Sequence, residues 1–344
     1  MKPYVILWNR DENVRGGRAQ DALAVTSTEE IIEPLRRALL GLGPVEVVET
    51  GNGDPEVLAR SLKSRDPRVV FNLAEAARGI SEFEACVAGV LELLGIAYTG
   101  NTPQTLALCL DKPKTKLLLS GAGVPVPPGI VVRDAGRDPL VGLEYPVIVK
   151  PAGMDASHGI EPANVVWSEE ATRAKAAELI ARFAAAALVE RFIDGRDLLV
   201  GLIQVGAGAP PTVLALGEID FQLAPGVPRV SGFESKWVPS SEAFQKTPGI
   251  YPARVSAELA RKVHEVAVAA FEAVGARDYA RVDIRVDAEE RPFVLEVNPN
   301  PCLNPDTGLG RAAAVAGWSY DDLVHRIVRN AEERGALAPL PRQG

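Results

Sequence analysis

Polar side chains recur at every second position in two neighbouring apolar runs, ARVDIRV at residues 280–286 and PFVLEVN at residues 292–298. Residues i and i+2 of a strand face the same way, so Glu296 and Asn298 share one face of the second run. The connection between the runs is short and polar, which is typical of a hairpin. We therefore predict an antiparallel hairpin that brings Asp283 close to Glu296 and Asn298.

The side chains gathered by this hairpin have the chemistry of a metal site. Asp283 and Glu296 supply carboxylates and Asn298 an amide oxygen, which are hard ligands that suit Mg²⁺, with Mn²⁺ as a second candidate, and not zinc. The alternative is that they are solvent-facing polar residues of a half-buried hairpin. Asp and Asn are depleted in strand interiors, which weakens that alternative.

Length and composition are those of a soluble globular protein. The chain has 344 residues, 47% hydrophobic and 24% charged, which is enough for two or three domains with their own cores. The net charge of −8 argues against a polyanionic partner, so we expect no nucleic-acid binding. Any phosphate site must depend on a few well-placed Lys and Arg side chains.

The sequence contains no pattern typical of export or membrane insertion. The apolar run at residues 3–8 is followed at once by polar residues and is too short for a signal sequence or a membrane span. Cys86, Cys109 and Cys302 are odd in number and lack metal-type spacing, as expected in a reducing compartment. We expect a cytoplasmic protein with no membrane partner.

The first third of the chain alternates strand-like and helix-like segments. Strands are predicted at Tyr4–Trp8, 45–49 and 68–73, and a capping box at Ser27–Glu30 predicts the start of a helix that runs through Leu40. This βαβ pattern is typical of a parallel sheet with helices on its faces. The expected fold class is α/β, with a Rossmann-like N-terminal domain.

Two further domains are predicted from the segments that follow. A single helix is expected over about 103–121, and VPVPPG at residues 124–129 is typical of a linker. The next block has the strand and helix order of a small α+β lid, and the last block is α+β. The predicted domains are residues 1–111, 112–194 and 195–344.

Two segments of the central block have features of a nucleotide site. Lys150 ends an apolar strand and precedes a loop of small residues at 151–159, whose backbone amides can approach phosphate oxygens. In the segment 190–197 a strand, a Gly turn and a second strand can present backbone to adenine, while Asp197 can bind a ribose. The alternative for Lys150 is that it lies at an exposed strand end. The alternative for the segment 190–197 is an ordinary hairpin with acidic residues on its surface.

Several short motifs occur in the order typical of the ATP-grasp superfamily. Each alone is weak, but together they resemble D-alanine–D-alanine ligase and its relatives over nearly the whole chain, most clearly from Val69 to Arg329. The resemblance implies an ATP-grasp fold with an ATP cleft between the lid and the C-terminal domain. The matching positions are Tyr98–Gly100, Asp111–Lys112, Val147–Pro151, Glu190, Asp197, Lys236, Arg281–Asp283 and Glu296–Asn298.

The resemblance also implies roles for individual residues, with ATP and Mg²⁺ as cofactors. It implies a nucleotide-binding set of Lys112 and Lys150 at the phosphates, Glu190, Arg191, Phe192 and Ile193 at adenine, Asp197 at the ribose, Lys236 at the γ-phosphate, and Asn298. It implies a metal set of Asp283, Glu296 and Asn298, with Glu296 bridging two ions. It implies a catalytic set of Arg281, Lys236, Glu75 and Ser157, in which Arg281 stabilises the anionic transition state.

Departures from the family pattern fall on the substrate side. Glu75-Ala76 replaces the usual His-Gly, and Ala156-Ser157 replaces paired serines. Trp237 stands where Tyr is typical, and Pro301-Cys302 replaces Pro-Gly. Residues 9–17 differ from the family's glycine-rich loop. The resemblance therefore implies a ligase with an altered substrate pocket.

The expected activity is ATP-dependent amide formation between a carboxylate and an amine, through an acyl phosphate. Amino acids or small peptides are the expected substrates, and relatives suggest a homodimer. Three alternatives stay open: a genuine D-alanine–D-alanine ligase, a non-catalytic ATP-binding module and a phosphotransferase. Candidate substrate contacts, each also open to interpretation as a surface charge, are Arg15, Arg18, Glu75, Glu82 and Arg311.

Overall fold

A parallel sheet of three strands opens the chain in the computed structural model, which describes residues 1–10, 22–51, 53–154 and 156–335. The central strand is fully buried, as its uninterrupted apolar sequence requires. The strands pair in the order β2-β1-β3, with ranges β1 Tyr4–Trp8, β2 Val45–Glu49 and β3 Val69–Asn72.

Helices accompany this sheet, and two of them differ from the sequence prediction. Their ranges are α1 Ala22–Leu40, α2 Pro55–Arg65, α3 Glu84–Leu93, α4 Pro103–Leu110 and α5 Lys112–Gly121. The predicted start at Ser27 is wrong, because α1 begins five residues earlier in an Ala-Leu-Ala run of strong helix formers. The predicted single helix over 103–121 is also wrong, since Asp111 ends α4 and caps α5 by accepting from the Lys114 amide at 3.1 Å.

An antiparallel sheet of four strands forms the central part of the chain. Its order is β4-β7-β5-β6, with ranges β4 Gly129–Val132, β5 Val147–Pro151, β6 Val165–Val166 and β7 Ala187–Arg191. Helix α6, Glu169–Phe183, packs against β5 and β7 and covers an apolar core. Lys150 lies near the end of β5, as the sequence predicted.

A larger antiparallel sheet of six strands carries the predicted hairpin. The strands are β8 Arg196–Gln204, β9 Pro211–Val213, β10 Gly217–Ile219, β11 Gly249–Ile250, β12 Tyr279–Val286 and β13 Pro292–Asn298. They pair in the order β11-β10-β8-β12-β13, with β9 on β8, so the β12–β13 hairpin is confirmed. The helices are α7 Phe233–Trp237, α8 Glu242–Gln245, α9 Ala257–Ala273, α10 Gly308–Val315 and α11 Tyr320–Arg334.

The last helix returns to the first sheet. Leu323 and Ile327 of α11 share a buried core with Ile6 of β1 and Leu35 of α1. Each such side chain contributes about 1.5–3 kcal/mol when fully buried, so the two ends of the chain stabilise one another. The division at 111/112 and 194/195 remains a proposal.

None of the helices in the described residues is both long and apolar enough to cross a membrane.

Candidate active site

A cavity of about 740 Å³ lies where the three sheets approach one another. Its walls come from the loop after β3, the ends of β5 and β7, the β12–β13 hairpin and the loop that leads into α10. All the predicted nucleotide, metal and catalytic residues line this one cavity. They are Glu75, Lys112, Lys150, Ser157, Glu190, Arg191, Phe192, Ile193, Asp197, Lys236, Arg281, Asp283, Glu296 and Asn298.

The register of the hairpin fixes the geometry of the candidate metal residues. Asp283 lies directly across from Glu296, and Arg281 lies across from Asn298. The Arg281 guanidinium donates to both Asp283 oxygens, from Nε at 2.6 Å and from Nη2 at 3.0 Å. Both carboxylates of the pair line the cavity, and the one on Asp283 is held by an arginine.

The pKa values of Asp283 and Glu296 are shifted in opposite directions. Burial would raise the pKa of Glu296, but the nearby cations Lys112, Lys236 and Arg281 outweigh it and lower that pKa to about 2. Burial raises the pKa of Asp283, and Arg281 opposes that rise. Glu296 is thus the more acidic carboxyl group of the pair.

The donor set fits a hard divalent cation. Among the described residues no group of three or more His, Cys, Asp or Glu side chains gathers that could hold a metal ion, and the amide oxygen of Asn298 is the third candidate donor beside the two carboxylates. The Asn298 Oδ1 atom accepts from the Asn300 amide at 3.1 Å and keeps a second lone pair. Oxygen donors of this type suit Mg²⁺ better than zinc.

Lysines from two elements converge on a buried glutamate. Glu190 is 1% exposed and forms ion pairs with Lys150 and, at 3.0 Å, with Lys116. Burial alone would raise the pKa of Glu190, yet the two lysines lower it. Lys112 donates to the Met154 carbonyl of the small-residue loop. The cluster concentrates cations at one end of the cavity.

The backbone groups after β7 already have protein partners. The amides of Arg191 and Phe192 donate to the carbonyls of Pro128 and Pro146, each at 2.9 Å. The Ile193 carbonyl accepts from an arginine of β12 at 2.7 Å. Contacts of this segment to adenine therefore stay a proposal.

The predicted ribose ligand, Asp197, is also engaged. It forms a buried ion pair with Arg285, which in addition donates to the Ile193 carbonyl and, at 2.9 Å, to the Arg229 carbonyl. Arg285 thus connects β12 to the turn between β7 and β8 and to the segment around Arg229 at this end of the cavity.

Asparagine side chains hold the loop that carries Glu75. The Glu75 amide donates to Asn9 Oδ1 at 2.8 Å, and Asn300 Nδ2 donates to the Ala74 carbonyl at 3.2 Å. Asn300 also donates to the buried carboxylate of Glu84 at 2.9 Å. The loop is therefore held from both sides beside the β12–β13 hairpin.

The loop after β5 contacts the segment that carries Lys236. Ala156 and Ser157 adopt positive φ angles of 47° and 60°. The Trp237 indole donates to the Ala156 carbonyl at 3.0 Å, and the Ser157 hydroxyl lies 3.5 Å from the Ser231 carbonyl. These contacts close one side of the cavity.

The predicted substrate contacts are distributed unevenly. Glu75 and Arg311 line the cavity, whereas Glu82 is exposed and does not line it. The candidates Arg15 and Arg18 lie outside the described residues.

Sequence reasoning missed several lining or supporting residues, including Lys116, Glu84, Tyr251 and Arg285. Lys116 lies four residues after Lys112 and so shares a helix face with it, a signal that was available. Arg285 follows Asp283 at period-two spacing, which was available too. Glu84 and Tyr251 reach the cavity through tertiary packing, which no local pattern indicates.

Comparisons with known proteins identify the family of this chain. Residues 118–329 match the family model described as the D-ala D-ala ligase C-terminus. A D-alanine–D-alanine ligase of Desulforudis audaxviator is 32% identical over 94% of this chain and 95% of its own. The y4sG protein of Sinorhizobium fredii, described as uncharacterized, is 35% identical over 81% of this chain and 78% of its own.

A solved structure shares the fold. The D-alanine–D-alanine ligase of Bacillus anthracis complexed with ATP superposes with a TM-score of 0.73 at 20% identity, covering 96% of both chains. Fold and site together define an ATP-grasp enzyme of the carbon–nitrogen ligase class. Within that class, the chain belongs to the D-alanine–D-alanine ligase family. The predicted family and fold class are confirmed.

Proposed function

We propose that this protein uses ATP and Mg²⁺ to join the carboxylate of one amino acid or small peptide to the amine of another. The reaction forms an amide through an acyl phosphate. We further propose that its substrate pocket differs from that of ligases that join two D-alanines. Family membership supports the ligase chemistry, and the departures at Glu75-Ala76, Ala156-Ser157, Trp237 and Pro301-Cys302 support the different pocket.

One observation carries the proposal. The hairpin register sets Asp283 opposite Glu296, in the wall of the cavity that Lys112, Lys150 and Lys236 also line. Two carboxylates facing several cations are the arrangement that a metal-bound polyphosphate requires.

Charge neutralisation is the main requirement of the first step. A substrate carboxylate oxygen attacks the γ-phosphorus of ATP, ADP leaves, and an acyl phosphate forms. Lys150 and Lys236 reduce the charge on the phosphoryl oxygens, and bound Mg²⁺ supplies further Lewis acidity. Asp283, Glu296 and Asn298 would hold the metal.

Stabilisation of an oxyanion is the main requirement of the second step. The amine attacks the acyl carbon, the bond from that carbon to the phosphate oxygen breaks, and the proton lost from nitrogen leaves with the phosphate. Arg281 lies next to the metal pair and is proposed to stabilise the negative charge on the tetrahedral intermediate. The contact between Trp237 and Ala156 covers one side of the cavity and so limits the access of water to the acyl phosphate.

The remaining roles are proposed from the positions of the residues in the cavity. Lys112 and Lys150 bind phosphates, the segment from Glu190 to Ile193 binds adenine, and Asp197 binds the ribose. Glu75 and Ser157 contact the substrates at the other end. Binding of ATP would require Lys150 to exchange its contact with Glu190 for one with phosphate.

A panel of D- and L-amino acids and dipeptides tests the proposal. The protein is incubated with Mg-ATP and substrate pairs, while ADP and new amide masses are measured. ADP release that depends on two substrates, with a matching amide, is the expected result. ADP release with one carboxylate and a stable phosphorylated product would instead establish a phosphotransferase.

A genuine D-alanine–D-alanine ligase is the second candidate. It is favoured by relatives named for that activity, such as the Gluconobacter oxydans enzyme at 31% identity over 93% of this chain. D-alanyl-D-alanine as the preferred product of the same panel would establish it and would contradict the altered pocket.

A further inference from the structure

The arginines of the cavity differ in whether they have an acidic partner. Three of the four that line it form ion pairs with carboxylates: Arg191 with Glu144 at 3.4 Å, Arg281 with Asp283 at 2.6 Å, and Arg285 with Asp197. Arg311, the fourth, forms no ion pair with any carboxylate in the part of the chain that the structure describes. A guanidinium that lines a cavity without a counter-charge favours an anionic ligand group.

The Arg311 side chain is held in place without being neutralised. Its Nη1 donates to the Gly249 carbonyl at 2.8 Å, and its guanidinium carbon lies 4.9 Å from the centre of the Tyr251 ring. Tyr251 is itself fixed, because its ring packs so closely on Gly217 that a Cβ there would lie 2.3 Å from it. The cation is therefore preorganised on an aromatic platform.

The helix that carries Arg311 is also fixed. A Cβ at Gly310 would lie 2.5 Å from the Pro305 carbonyl oxygen and 2.6 Å from that of Asn304, so α10 packs directly on the preceding loop. Asp306 of this loop is exposed and forms no ion pair with Arg311. The nearest acid in sequence therefore does not neutralise the arginine.

The proposed function places one substrate carboxylate elsewhere. The group to be activated must lie beside Arg281, Lys236 and the metal residues, where it meets the γ-phosphate. Since Arg281 and Lys236 are already assigned to that group, we assign an anion at Arg311 to a second group, one that is not consumed in the reaction.

We propose that Arg311 is a specificity-determining residue that binds a carboxylate of the amine substrate. This inference rests on the proposed function and deepens it. The amine would be an amino acid or a peptide whose carboxylate stays intact in the product.

Paired acceptors test this assignment. Each amino acid that serves as an amine substrate is compared with its own carboxamide, which keeps the amine and lacks the carboxylate. Wild type, Arg311→Gln and Arg311→Lys are assayed with Mg-ATP, and KM and kcat are measured for each acceptor and for ATP. Arg261→Gln is the matched control, because Arg261 is an exposed arginine on α9 far from the cavity lining.

The expected result distinguishes a role of Arg311 in binding the substrate carboxylate from a role in holding the local structure. Arg311→Gln raises KM for the acid acceptor about 10- to 100-fold and leaves the carboxamide and ATP unchanged, because only the acid loses a charged hydrogen bond. Arg311→Lys recovers part of the loss, and Arg261→Gln matches wild type. A merely structural role through Gly249 would instead slow both acceptors alike.

Two results would overturn the assignment. Equal use of acid and carboxamide by wild type would show that no carboxylate is recognised, and equal losses for both acceptors in Arg311→Gln would show a structural role. Amide formation by wild type would leave the proposed function standing in either case. No amide with any member of the panel would overturn the proposed function and this assignment together.

Discussion

The two ends of the cavity hold their charges differently. At the proposed nucleotide end, Lys150 and Lys116 are paired with Glu190, and Arg285 is paired with Asp197. At the proposed substrate end, Arg311 rests on Tyr251 without an acidic partner among the described residues. The ion pairs at the proposed nucleotide end offset the charges of Lys150, Lys116 and Arg285 within the protein. Among the described residues Lys112 and Lys236 also line the cavity without an ion pair, but Arg311 is the cavity arginine without one, and it is the one proposed to select the substrate.

The largest effect on turnover is expected from a change in the proposed metal ligands Asp283 and Glu296. Glu296→Gln should lower the turnover of amide formation about 10³-fold, because it removes the ionised ligand of the proposed metal site. Steady-state ADP release and Mg²⁺ titration measure it. Glu289→Gln, an exposed change in the turn of the same hairpin, should leave turnover unchanged. Near-normal turnover in Glu296→Gln would place the metal elsewhere.

A large loss of stability is expected where a buried pair is broken at the nucleotide end. Arg285→Met should lower the free energy of unfolding by about 3–5 kcal/mol, because Asp197 is left charged and buried. The double variant with Asp197→Leu should regain much of it, since no isolated charge remains. Urea unfolding measures both. Equal stabilities of the single and double variants would contradict the buried pair.

A smaller effect on stability is expected at Gly217, on which the ring of Tyr251 packs. Gly217→Ala should cost about 1–3 kcal/mol of stability, because the added Cβ meets the Tyr251 ring. It should also raise KM for the amine substrate by displacing Arg311. Gly121→Ala, where a Cβ meets nothing within 4 Å, is the matched control. Wild-type values for Gly217→Ala would show that Tyr251 does not position the arginine.

The smallest effect concerns pH. The pKa of Glu190 is lowered in the folded protein, so its stabilisation is present above its ordinary value of 4.5 and is lost as pH falls through the folded value. The difference in unfolding free energy between wild type and Glu190→Gln should therefore be largest near pH 7 and narrow below pH 4.5. Urea unfolding at pH 7 and pH 4 measures it, with the exposed Glu258→Gln as control. A difference that widens at low pH would contradict the ion pairs.

Local patterns predicted the parts of the molecule whose geometry is local. Period-two spacing placed Asp283, Glu296 and Asn298 on a hairpin, and the register of β12 and β13 confirms it. The burial of β1 followed from an uninterrupted apolar run. Both depend on neighbours in sequence or on one short turn.

Long-range packing explains what the sequence analysis missed. Arg311 and Gly249 lie 62 positions apart, and Asn300 and Glu84 lie 216 apart, so no local pattern connects them. The start of α1 was misplaced because a capping signal at Ser27 competed with stronger helix formers before it. The helix propensities of single residues do not decide which of two candidate starts a helix uses.

Transfer of oxygen tests the central claim, carboxylate activation by ATP, most directly. The carboxylate substrate is labelled with ¹⁸O, the reaction is run with Mg-ATP and the amine, and the released phosphate is analysed by mass spectrometry. One labelled oxygen in each phosphate, together with the amide, is the predicted result, because an acyl phosphate leaves with a carboxylate oxygen. Unlabelled phosphate would mean that water attacks ATP, and it would contradict the ligase mechanism.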